Sequence, residues 1–164
     1  MDDELAVLNE LLFNDKNQIS DVFIENEAKE YFGFDFRVNQ LQFKYRKAKT
    51  TPKKVGLFVT LWRRNLEKIT EPFHKNDSFD FYLIAVNENE KQGLFIFPKN
   101  ELIKQKILST LTKEGKRGFR VYPSWTITNN KQAEKTQIWQ TKFFIDFSDQ
   151  KINQTEKINK ILNH

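Results

Sequence analysis

The chain has no cysteine and only two histidines, His74 and His164, which lie far apart in sequence. Without thiols there is no disulfide framework and no thiolate metal ligation, and a histidine- or cysteine-based zinc site is not expected. Long apolar runs are also lacking: none approaches the roughly 18 residues that a membrane-spanning helix needs. The first residues, MDDELAVLNELLF, are acidic where a secretory leader would be basic, so the reading is a cytoplasmic protein with no membrane partner. There is no Gly-rich phosphate loop of the Walker or dinucleotide type and no Gly-x-Ser-x-Gly nucleophile elbow, which sets those enzyme classes aside. Neither an internal repeat nor a Gly/Ser/Pro-rich linker divides the 164 residues, the size of one ordinary domain.

What is present is a basic excess and many aromatics. The 27 Lys+Arg against 22 Asp+Glu give a formal charge of +5, with a sequence pI near 9.3, a balance that favours polyanionic partners. Lys, Asn, Ile and Phe are all abundant, as in AT-rich coding sequence, so the placement of the charges carries more weight than their number.

Leu5, Leu8 and Leu12 recur at helical spacing behind Asp2, Asp3 and Glu4, which predicts an N-terminal helix. A second helix is expected from Ser20 through Phe23, Ala28 and Tyr31 to Gly33. The period then changes to two. Phe34, Phe36 and Val38, followed by Leu41, Phe43 and Tyr45, predict a hairpin turning at Asn39-Gln40, with Phe34 facing Tyr45, Phe36 facing Phe43, Val38 facing Leu41 and Asp35 opposite Lys44. Val55 to Trp62, Phe79 to Val86 and Leu94 to Phe97 are apolar on both faces and read as central strands. Phe119 to Tyr122 is a further short strand. KNELIKQKILSTL has helical spacing, and Trp139, Phe143 and Phe147 make a stripe expected on a C-terminal helix. Residues 149–164 read as a tail or a short docked helix. The class is α+β: a single domain over 1–164, core about 31–147, with a mixed or antiparallel sheet of about four to six strands flanked by helices.

Three constellations carry chemistry. Around AKTTPKKVGLFVTLWRR, Lys47, just before the stretch, and Lys49, Lys53 and Lys54 within it precede a core-like strand, and Arg63-Arg64 follow it, one group at each end. In KEGKRGFRVYPSWTIT, Gly115 and Gly118 bracket Lys116-Arg117, and Arg120, Tyr122 and Trp125 follow, which suits phosphate forks and base stacking. The third is Asp80 with Lys99. A two-carboxylate nuclease site needs an Asp on one strand and an Asp or Glu two residues before a Lys on its neighbour, to hold Mg²⁺ and polarise the attacking water. Lys99 has the right place, but Phe97 stands where the second acid belongs, unless Asp77, Glu30 or Glu101 supplies it.

The motifs AKTTPKKVGLFVTLWRR, DFYLIAV, GLFIFPK and GKRGFRVYPSW, in this order and spacing, resemble the MepB family from about Tyr31 to Phe144. The resemblance implies a bacterial cytoplasmic protein, a nucleic-acid-binding role and a fold similar to restriction-endonuclease-like domains. The expected function is binding of nucleic acid, DNA more than RNA, with little sequence selectivity. The candidate contacts are Lys47, Lys49, Lys53, Lys54, Arg63, Arg64, Lys99, Lys116, Arg117, Arg120 and Trp125. No cofactor is expected; Mg²⁺ enters only in the rival reading of a metal-dependent nuclease centred on Asp80 and Lys99. A second rival is a small anionic ligand on Arg117, Arg120 and Lys99.

Overall fold

The structure is a computed structural model that describes residues 2–13, 19–149 and 153–163. In chain order it runs α1 (Asp2–Leu8), a π-type turn (Asn9–Phe13), β1 (Ser20–Ile24), a 3-10 turn (Asn26–Tyr31), β2 (Phe34–Val38) and β3 (Leu41–Lys47). There follow β4 (Lys49–Thr50), β5 (Leu57–Thr60), β6 (Trp62–Arg64), β7 (Thr70–Pro72), β8 (Phe81–Glu88) and β9 (Lys91–Pro98). The chain closes with α2 (Lys99–Lys104), β10 (Gly118–Val121), α3 (Lys131–Thr141), β11 (Phe144–Asp146) and α4 (Thr155–Leu162).

A six-stranded sheet in the order β1-β2-β3-β8-β9-β11 forms the centre. The β2–β3 hairpin has the expected register in every pair, including Asp35 opposite Lys44. Its turn works without glycine because Asn39 takes the left-handed φ of 55°, a conformation that asparagine tolerates. β3 and β8 run parallel, whereas all other neighbours in this sheet are antiparallel. A parallel pair needs a long crossover, and residues 48–80 supply it with four short strands in place of a helix. With β10 they form two small sheets, β10-β5-β4 and β6-β7.

Register divides the central sheet into two unlike faces. Phe34, Phe36, Phe43, Tyr45 and Phe81 stack along one face, with Phe36 and Phe43 rings 5.0 Å apart and Phe43 and Phe81 5.4 Å apart. α1 stands over this face across a cavity of about 190 Å³ that Leu8, Tyr45, Ala85 and Leu94 help to line, and α4 packs on β9 with Ile158 and Ile161 buried. The opposite face grades from polar to aromatic: Asp35, Lys44 and Arg46, then Tyr82 and Ile84, then Phe95 and Phe97. The β4-β5-β10 sheet and α3 cover its aromatic part, through Phe119 against Tyr82 and Trp139 against Phe97.

Several expectations are corrected. Ser20 to Gly33 is not a helix: Val22-Phe23-Ile24 is β-branched and aromatic, and it adds an edge strand to β2, followed by one 3-10 turn. Val55 to Trp62 is not in the central sheet. Leu57 and Val59 are buried, Phe58 and Thr60 only half so, and the extension breaks at Leu61 before β6. The stripe of Trp139, Phe143 and Phe147 does not share one helix, because Phe144-Ile145 extends to satisfy the backbone edge of β9. The helix in KNELIKQKILSTL stops at Lys104, and Lys106 then takes a φ of 62°. Of the tail, Thr155–Leu162 form the docked helix α4.

Candidate functional site

The polar corner of the central sheet is a closed charge cluster. Lys44 Nζ donates to Glu25 Oε1 at 2.7 Å and to Asp35 Oδ2 at 3.1 Å. Arg46 Nη2 donates to Glu25 Oε2 at 2.5 Å, while its Nη1 donates to the Thr60 carbonyl at 2.6 Å. The Tyr82 hydroxyl donates to the same carbonyl at 2.8 Å. Two carboxylates and two cations therefore balance, and one network ties the residue after β1 to β2, β3, β5 and β8. Burial pushes the Asp35 carboxyl up to about 6, with the neighbouring Glu25 adding to the rise and Lys44 opposing it. Burial would raise Glu25 too, but Arg46 and Lys44 outweigh it and hold its carboxyl below the usual range.

This corner has the strand logic that Asp80 and Lys99 were expected to have: an acid on one strand, Asp35, facing Lys44 on the next. Gln42 stands two residues before the lysine, where a second acid would be. The Lys44 ammonium sits between the two carboxylates, in the space a divalent ion would need. Among the described residues no cluster of three or more His, Cys, Asp or Glu has metal-holding geometry. With Lys44 bonded to both carboxylates, the donor set does not fit Mg²⁺.

Asp80 and Lys99 are backbone neighbours, since Lys99 N donates to the Asp80 carbonyl at 2.9 Å, but their side chains part. Asp80 Oδ2 accepts from the Gln42 amide at 2.8 Å. This closes the end of the parallel β3–β8 pair from an exposed position, not the apolar one its neighbours suggested. Lys99 opens α2, and its ammonium donates to the Asp77 carbonyl and lies 5.1 Å from the Phe79 ring centre. Phe97 is fully buried among Phe95, Trp139, Phe143 and Phe119. Asp77 goes to Arg63 at 2.7 Å and Glu30 to Lys49 at 3.2 Å, and Glu101 accepts from Gln105 at 2.9 Å. None of these acids joins Asp80.

The basic candidates fall into two groups at opposite ends of the small sheet, because β5 and β10 pair Thr60 with Gly118 and Leu57 with Val121. Lys53 and Lys54 are exposed in the turn before β5, with no side-chain partner among the described residues. Arg120 fixes that turn, donating to the Val55 carbonyl at 2.9 Å, the Gly56 carbonyl at 3.0 Å and Thr51 Oγ1 at 2.7 Å. At the other end Arg63 is shared between Glu71 and Asp77, and Arg64 donates to the Lys68 carbonyl and stacks on Trp62. Arg117 pairs with Glu114 and donates to the Thr70 carbonyl at 3.0 Å. Lys47 stands apart, over the Phe32 ring beside α1. Trp125 donates to Glu88 and packs edge-on to Phe144. Gly115 and Gly118 use their small size inward: a Cβ on Gly115 would meet the Ile107 carbonyl at 2.2 Å, and one on Gly118 the Phe58 ring at 2.5 Å.

Beside β10 lies a groove of about 370 Å³, walled by α3 and lined by Lys116, Arg120, Tyr122, Asn130, Thr136 and Trp139 among others. No carboxylate lines it among the described residues. α3 is held there by Gln140, which is fully buried and accepts from the Tyr122 amide at 2.8 Å while donating to the Arg120 carbonyl at 2.9 Å, as a neighbouring strand would. Sequence reading found the β10 wall of this groove but not the α3 wall, which only tertiary packing brings opposite. Of the charge cluster, the Asp35–Lys44 pair was legible from the hairpin register. Glu25 was not, since it lay in a segment read as helix.

No curated protein matches the chain. Among solved structures, a crystal structure of MepB shares 34% identity at a TM-score of 0.79, covering 86% of this chain and 95% of that one. A bacterial homing endonuclease aligns at 15% identity and a TM-score of 0.47, over 83% of this chain and 84% of that one. The MepB-like family model matches residues 25–146. With that match, and a relative of such identity along most of its length, the chain belongs to the MepB-like family.

Proposed function

We propose that this protein binds nucleic acid, DNA before RNA, through backbone phosphates and with little sequence selectivity, and that it does so in the cytoplasm. The carrying observation is the groove between β10 and α3: it holds the Lys116 ammonium, which has no protein partner among the described residues, and the Tyr122 and Trp139 rings, and is lined by no carboxylate. Phosphates favour cationic, acid-free channels, and the half-buried Tyr122 and Trp139 rings give this one a flat apolar wall for a sugar or base edge. Lys53 and Lys54 extend the positive surface past Arg120, as Arg64 and Arg117 do past Lys116. Arg63, Arg64, Arg117 and Arg120 contribute field more than contacts, because their donors are already engaged.

The nuclease reading finds no support in Asp80, whose carboxylate closes a strand end, nor in Asp35, whose cation is Lys44. The expected outcome is retardation of unrelated duplexes with similar affinity, weakening steeply between about 50 and 200 mM salt. Arms with Mg²⁺ or EDTA should give no cleavage. A folded sample that binds neither duplex nor single strand at low salt rules the proposal out. Salt-independent binding of a small anion would replace it.

A further inference from the structure

The β6–β7 hairpin pairs with no other strand among the described residues, and its tip places apolar side chains in solvent. Leu66 is 104% exposed and Ile69 56%. The tip is nonetheless firmly built. Asn65 Oδ1 accepts from the Glu67 and Ile69 amides at 2.9 and 3.1 Å. The Asn65 amide donates to the Ile69 carbonyl at 2.9 Å, and Lys68 N donates to the Asn65 carbonyl at 2.9 Å, with Lys68 at a φ of 64°. Arg64 donates to the Lys68 carbonyl from below while stacking on Trp62. The loop is thus ordered by its own hydrogen bonds, and Leu66 contributes nothing to the core.

Resting on the nucleic-acid reading above, we infer that this hairpin is a duplex-distorting arm: Leu66 enters a base step from the minor groove while Lys68 meets a flanking phosphate and Arg64, held from the tip side, adds its field. Two observations favour this occupant. The first is charge: a fully exposed leucine between Arg64 and Lys68 suits a surface with an apolar interior and an anionic rim, which base pairs and phosphates provide. The second is continuity. Leu61 N donates to the Arg117 carbonyl at 2.8 Å and Arg117 Nη2 donates to the Thr70 carbonyl at 3.0 Å, so the base of the hairpin abuts the Lys116 end of the groove. A strand leaving the groove past Lys116 meets the arm next. Glu67 is the single acid in the tip and opposes phosphate, so Glu67→Gln should tighten binding. A rigid tip loses little entropy when it inserts, which favours a preformed wedge over a floppy one.

The test uses a duplex carrying 2-aminopurine at successive steps, with dyes at its ends for energy transfer. Binding of the full chain should raise 2-aminopurine emission several-fold and shorten the end-to-end distance. Leu66→Ala should abolish both signals while weakening affinity only three- to tenfold, with the melting temperature unchanged because the side chain packs against nothing. Binding with unchanged emission, or an undiminished signal in Leu66→Ala, overturns the arm but leaves the groove reading standing. Absence of any binding removes both. Sedimentation of the protein alone gives the remaining discrimination: self-association that Leu66→Ala abolishes would make a second copy the occupant, and overturn the proposal.

Discussion

The Glu25–Asp35–Lys44–Arg46 corner and the β10–α3 groove are both rich in charge, yet they stand in opposite relation to solvent. In the corner, Arg46 is 2% exposed and each cation already has its carboxylate. In the groove, Lys116 is exposed and no carboxylate among the described residues lines the walls. Ionic groups removed from water must satisfy one another, because desolvation is costly unless charges are paired and hydrogen-bonded. Cations left without acids cost little at a wet surface and keep their field available to a ligand. Residue type alone does not separate a structural arginine from a binding one; the partner does.

The strongest way to break this contrast is to orphan a charge in the corner. Arg46→Ala should destabilise the fold by about 3–5 kcal/mol, read by urea unfolding, because it leaves the Glu25 and Asp35 carboxylates to share Lys44 alone and the Thr60 carbonyl with Tyr82 alone. Replacing the pair together, Glu25→Gln with Arg46→Met, should recover most of that loss. A cost below about 1 kcal/mol for the single change would show that the corner is not a buried balanced network.

Arg120 and Lys116 sharpen the comparison from within the groove. Arg120→Ala should cost about 1.5–3 kcal/mol of stability, since three donors to the residue 51–56 turn are lost. Lys116→Ala should leave the melting temperature alone and lower the slope of log affinity against log salt by about one. If both variants behaved alike in melting and in salt titration, the division between engaged and available cations would fail.

Smaller still is Asp80→Asn, which weakens one exposed bond to the Gln42 amide and should cost at most about 1 kcal/mol. Nuclease assays with Mg²⁺ or Mn²⁺ should be blank for both forms. Cleavage that vanishes in Asp80→Asn at unchanged stability would restore the catalytic reading. The finest test is pH. Asp35 titrates near 6 in the fold against about 4 in an unfolded chain, so the native state holds the extra proton in that window. Its contribution to stability is greatest in acid and declines as pH rises from about 4 to 6. The melting temperature of Asp35→Asn should therefore gain on that of the parent across this range, as followed by circular dichroism. A difference that stays constant with pH would mean that Asp35 is not raised.

The hairpin register, the class of the domain and the basic stretches were all legible in the sequence, because alternation of Phe34, Phe36, Phe43 and Tyr45 admits only one pairing that buries every ring. The central strands expected at Phe79 to Val86 and Leu94 to Phe97 were legible from their apolar runs and stand at Phe81–Glu88 and Lys91–Pro98, whereas the same pattern at Val55 to Trp62 placed that segment in the wrong sheet. Tertiary structure decided the rest. Val22-Phe23-Ile24 became an edge strand because β2 offered an unpaired edge, and Phe144-Ile145 left the helix because β9 offered another. Whether Arg120, Arg63 or Lys99 was free for a ligand depended on carbonyls and carboxylates brought near from distant positions in the chain. The second wall of the groove came from a helix whose own sequence announces no binding role. Local pattern follows from which side chains prefer water; the availability of a charge depends on which partners the folded chain places within reach.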